Sequence, residues 1–187
     1  MSSRRIDVVI LCEDKQQEVF ARRFLEGWNI ETRSIRVVPM PQGWNVKSVI
    51  EAFPSELESY RTARVNSEDV RLIAVADADR NSVRDMHQKF DASCSHVGAK
   101  IDVRRADERV GIFTPKYRIE TWIHFILGNT VDEEVDNYPR FKGHERDPGA
   151  KIVAFARECK KTDRSQRLHF PPSLAGACEE FETRIRP

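Results

Sequence analysis

Three short apolar runs, each closed by acidic residues, set the terms on which this chain can fold. Val8, Val9, Ile10, Leu11 and Cys12 run into Glu13 and Asp14; Leu72, Ile73, Ala74, Val75 and Ala76 run into Asp77, Ala78 and Asp79; Val110, Gly111, Ile112 and Phe113 lead through Thr114, Pro115 and Lys116 to Glu120. Unbroken apolar runs of this length suit strands buried on both faces, as in a parallel sheet. A carboxylate just past such a strand sits at the mouth of the sheet, where the acids of neighbouring strands converge in one crevice. Converging carboxylates repel one another unless a divalent cation neutralises them, which points to metal-assisted phosphate chemistry.

The segments between the runs carry helical spacing. Val19, Phe20, Phe24, Leu25 and Trp28 place a helix over 17–28, with Gly27 near its end. Residues 34–38 read as a second strand stopped by Pro39 and Pro41, and 46–61 as a helix that Pro54 should kink or divide. A helix over 82–90, strand segments at 101–103 and 110–113, and a buried helix over 117–127 follow. Parallel neighbours need crossover connections, so this alternation predicts an α/β fold: a mostly parallel central sheet of about four strands with helices on both faces. The polar segment 129–148 reads as a loop, and helices near 150–159 and 174–185 complete a C-terminal extension. Residues 1–128 are expected to form the catalytic domain, with 129–187 packed on it.

Composition excludes some alternatives. With 187 residues and 40% of them hydrophobic, the chain can bury one sizeable core. Thirty-one basic residues against thirty acidic ones leave a net charge of +1, so no global basic field marks a nucleic-acid binder. Cys12, Cys94, Cys159 and Cys178 show no metal-ligand spacing, and the five histidines show none either. The absence of a signal-like or membrane-length apolar run gives the expectation of a cytoplasmic protein with reduced thiols and no membrane partner.

The glutamate after the first strand and the Asp77-x-Asp79 pair after the third resemble the motifs of the Toprim fold, a Rossmann-like catalytic domain shared by topoisomerases, bacterial primases, small maturation ribonucleases and OLD-type nucleases. Glu13 to Phe20 and Tyr117 to Ile123, with the latter's Glu120-x-Trp122, are similar to the small stand-alone Toprim-like proteins of prokaryotic defence and mobile loci. The similarity covers roughly 6–127. Two positions depart from the family pattern: Asp14 stands where relatives carry Gly, and Gln17 where many carry a second acid.

The resemblance implies a metal-dependent nuclease that hydrolyses phosphodiester bonds in DNA or RNA, with Mg2+ as cofactor and Mn2+ as a substitute. Glu13, Asp77, Asp79 and Glu120 are the expected ligands. If the chain stays extended, Asp77 and Asp79 point the same way and share one ion. Glu13 either ligates that ion or acts as general base. Lys116 and Arg80 are candidates to hold the phosphate. Trp44 either stacks a base or anchors its loop. Nucleic acid is the expected partner, and an ATPase partner is what the resemblance adds; a non-catalytic Toprim-like subunit is the alternative. A receiver domain would leave Asp79 without a role, a nucleotide-sugar transferase would need more chain, and haloacid-type phosphatases carry their acid pair on the first strand.

Overall fold

Four strands, β1 (Val8–Cys12), β2 (Ile35–Val37), β3 (Arg71–Val75) and β4 (Val110–Phe113), form one parallel sheet in the order β2-β1-β3-β4 in a computed structural model that describes residues 7–67, 69–95, 101–161 and 165–186. All residues of β1, β3 and β4 are buried. Because successive strand side chains point to opposite faces, the sheet divides the core in two. Val8, Ile10, Cys12, Ile73, Val75 and Phe113 pack on one face with α1 (Lys15–Gly27), α4 (Ile119–Ile126), α5 (Gly149–Lys161) and α6 (Pro172–Glu180). Val9, Leu11, Leu72, Ala74, Val110 and Ile112 pack on the other with α2 (Val46–Arg64) and α3 (Val83–Cys94).

From β1 the chain turns outward to β2, then crosses back to β3 on the other side of β1. The gap between the C-terminal ends of β1 and β3 is therefore the point where strand order reverses, the usual ligand crevice of open parallel sheets. Cys12 lies opposite Val75 in the register, so Glu13 and Asp77 leave the sheet side by side.

Local sequence explains most element ends. Asp14 caps α1 by accepting from the Gln17 amide, Asn45 caps α2 through Lys47 and Ser48, and Ser82 with Asp85 forms a reciprocal capping box on α3. Pro54 lies inside α2 and does not divide it: Val49, Phe53, Leu57 and Tyr60 bury one face at helical spacing and outweigh the one hydrogen bond lost at the ring. One expectation fails. Residues 101–103 are not a strand: the Arg61 guanidinium donates to the carbonyls of Asp102 and Val103 and clasps Glu108, which takes those oxygens out of any ladder.

Cys159 of α5 and Cys178 of α6 are joined as a disulfide with their Cα atoms 6.6 Å apart, so the expectation of reduced thiols holds only for the buried, free Cys12 and Cys94. Among the described residues, no helix is long and apolar enough to cross a membrane.

Gly27 closes α1 against α5. A Cβ built on it would stand 2.5 Å from the Ala156 Cβ and 2.7 Å from the Val153 carbonyl oxygen. Gly27→Ala should destabilise the fold by about 1–3 kcal/mol through this overpacking, and lower the melting temperature by roughly 2–4 °C for each kcal/mol. An unchanged thermal melt would show that α1 and α5 are not so closely packed.

Candidate metal centre

Glu13 follows β1 and Asp77 lies two residues past β3. Gln17, fully buried one turn into α1, joins them. Its side-chain amide nitrogen donates to Glu13 Oε1 at 3.1 Å and to Asp77 Oδ1 at 3.0 Å, while its oxygen accepts from the Glu13 backbone amide at 2.9 Å. The Asp77 amide donates to Glu13 Oε1 at 2.6 Å, and the Ile119 amide at the start of α4 donates to Asp77 Oδ1 at 3.1 Å. Each carboxylate is thus held by one oxygen. Among the described residues Glu13 Oε2 and Asp77 Oδ2 accept no hydrogen bond, and neither is sealed from solvent.

Burial pushes Glu13 up to about 7, against the lowering effect of its hydrogen bonds from Asp77 and Gln17. Burial likewise raises Asp77 well above the usual carboxylate range, with further repulsion from Glu13, Asp14 and Glu120. The cause is the same for both: ionised oxygens held in a low-dielectric crevice with donors to only one oxygen each.

The two acids form the floor of a cleft of about 550 Å³ that is also lined by Asp79, Trp44, Arg118 and Arg140. Asp79 reaches this cleft by a different route from the extended one expected. The strand ends at Val75, and Asp79 has a left-handed φ of 49° and pairs with Tyr117 in an isolated antiparallel bridge. Asp77 and Asp79 are therefore not on one pleat face, yet both line the cleft.

Glu120 is buried and faces a smaller neighbouring cleft of about 220 Å³, which shares Asp14 and Arg140 with the first. Burial, helped by Asp14, raises its pKa. Lys116 does not join the acids: its Nζ lies 3.5 Å from the Asn81 carbonyl oxygen and lines a separate groove beside α6. Arg80 is exposed and is not among the residues lining the acidic cleft. The cations lining the cleft are instead Arg118, which is paired with Asp136, Lys47, which is paired with Glu51 at 3.6 Å, and the exposed Arg140.

Ser173 of α6 braces the turn that supplies the Ile119 amide. Its Oγ accepts from Trp122 Nε1 at 2.7 Å and from the Lys116 amide at 3.2 Å, and donates to Glu133. Nothing in the motif pattern signalled this tie.

The residue whose part in the site the sequence left unassigned is Gln17. It stands where many relatives carry an acid, and its amide supplies the donors that hold Glu13 and Asp77 together. Its place four residues after Glu13 on a capped helix was the available signal. Among the described residues, no three His, Cys, Asp or Glu side chains gather as a preformed metal cage. Scans against protein-family models, curated proteins and solved structures each find no match for this chain.

The raised pKa values carry a sign. A carboxyl whose folded pKa lies above its unfolded value lends its stabilising contribution fully below the unfolded pKa and loses it as pH rises through the folded one. For Glu13 that window runs from the ordinary value of 4.5 to about 7. Glu13→Gln keeps an acceptor for both donors and removes the charge. In EDTA near pH 8 it should stabilise the protein by about 2 kcal/mol, a rise of roughly 4–8 °C in melting temperature. The difference should shrink as pH falls and vanish below about pH 4, where Glu13 is protonated in the folded and the unfolded chain alike; a difference independent of pH would refute the burial argument.

Proposed function

We propose that this chain is a metal-dependent phosphodiesterase of the Toprim type, a nuclease acting on DNA or RNA with Mg2+ or Mn2+. The supporting observation is the Gln17-clamped pair, in which two half-buried carboxylates line one cleft at the switch point of a parallel sheet, each with one oxygen free of hydrogen bonds. Mg2+ characteristically takes one or two carboxylates and completes its shell with water and substrate phosphate, so an open pair suits it better than a closed cage would. Asp77 Oδ2 and Asp79 are the proposed ligands. Bound there, the ion would polarise a non-bridging phosphate oxygen and stabilise the charge that develops as the bond breaks.

The chain's own groups divide the remaining work. Ile119 and Gln17 fix Asp77 by Oδ1 and so aim Oδ2. Glu13, also held by its Oε1, keeps Oε2 available to take a proton from an attacking water, and a pKa of about 7 suits that transfer near neutrality. Arg140, Arg118 and Lys47 line the cleft and, in place of Lys116 and Arg80, would be the cations available to a phosphate. A role in prokaryotic defence or nucleic-acid processing, and an ATPase partner, follow from the family resemblance alone.

The alternative, a Toprim-like subunit that binds nucleic acid or a partner ATPase without cutting, is favoured by one observation: Lys116 is turned into the groove beside α6. Incubating the purified protein with Mg2+ or Mn2+ and labelled single-strand, duplex and structured DNA and RNA separates the readings. Cleavage should require metal, and Asp77→Asn should reduce it by about a hundredfold or more. Equal cleavage by Asp77→Asn would move the chemistry elsewhere, and binding without cleavage of any substrate would leave the subunit reading.

A further inference from the structure

The acidic cleft has an aromatic wall that metal chemistry does not require. Trp44 is half-buried: it packs against the core cluster beneath α2 and lines the cleft together with the acids. Its position is fixed locally. The Trp44 amide donates to the Pro41 carbonyl at 3.2 Å, Gly43 turns the chain with a φ of 87°, and the next residue, Asn45, caps α2. Arg140 lines the same cleft, exposed and without a hydrogen bond or ion pair among the described residues. An aromatic face, an uncommitted guanidinium and an acidic floor are the parts needed to seat a base, its phosphate and a cation.

We propose that Trp44 and Arg140 form a nucleotide subsite in which the Trp44 ring stacks an unpaired base and Arg140 holds the adjoining phosphate, so that the substrate is single-stranded nucleic acid. The inference rests on the phosphodiesterase reading and narrows it. A cleft of about 550 Å³ has room for one nucleotide. A base can lie on an aromatic ring only when it is free of its own stack and partner. Stacking is tolerant of base identity, so little sequence preference should accompany it.

The protein carries its own reporter. Of the three tryptophans, Trp28 is 2% exposed and Trp122 is 0% exposed, so only Trp44 can meet a base from solution. Titration of Asp77→Asn in EDTA with short oligothymidylate or oligouridylate keeps metal and cleavage out of the measurement. Binding should quench the tryptophan fluorescence. Trp44→Leu should abolish the quench and weaken binding by about tenfold to a hundredfold, whereas Trp44→Phe should retain most of the affinity. Because Trp44 also packs on the core, Arg140→Gln supplies a second, exposed variant. It should weaken binding and lower the slope of log affinity against log salt by about 0.7, one phosphate contact on a single strand. Binding with unchanged fluorescence, equal affinity in Trp44→Leu, or equally tight binding of a blunt duplex would each overturn the subsite. Quenching by a protein that never cleaves would support the subsite and remove the nuclease reading, so the two failures are distinguishable.

Discussion

Parallel pairing of β1 with β3 forces two carboxylates out of the same end of the sheet, and the structure must hold them there. In water such a pair would separate; in this crevice the strands on one side and α1 on the other leave nowhere for them to go. The Gln17 amide meets the problem with neutral donors. Its two N–H bonds draw off part of the charge on Glu13 Oε1 and Asp77 Oδ1 without supplying a countercharge, so both groups stay hard to ionise. The resulting site is ordered in geometry and short of positive charge. The proposed cation would supply that missing charge, at carboxylates that the framework already holds together.

The clamp also links distant parts of the chain. Its third support, the Ile119 amide, belongs to a helix start fixed by Ser173, 54 residues further on in α6. Ser173 in turn is held by Glu133, whose carboxylate also accepts from the Ser173 amide in the first turn of α6. The C-terminal segment therefore does more than cover the sheet: it supports the turn that aims Asp77. The core says the same, since Leu174, Cys178 and Phe181 pack with Val75 and Phe113 in one cluster.

Much of this was legible in the sequence because it depends on local pattern. Apolar runs of strand length, helical spacing and capping residues identify the sheet, its parallel sense and the acids at its mouth. What was not legible depends on tertiary contacts. The strand expected at 101–103 lost the Asp102 and Val103 carbonyl oxygens to Arg61, 41 and 42 positions back. Asp79 could not be aimed from a two-residue spacing, because the backbone leaves the extended region before reaching it. Lys116 looked well placed on the count from β4, but the turn that positions Ile119 sends its side chain the other way. Gln17 was visible as a departure from an acidic pattern, and only its geometry shows that an amide there joins two acids where a third would have repelled them.

The cation site proposed at the clamped pair has ligands that are partly protonated until an ion arrives. Binding must then expel protons, because only the ionised carboxylates coordinate well. Calorimetric titration of the metal-free protein with Mn2+ near pH 7, repeated in buffers of different ionisation enthalpy, measures that release directly. Saturable binding with release of about one proton per ion is the expected result. Saturable binding without proton release, or no saturable binding at millimolar Mn2+, would contradict it.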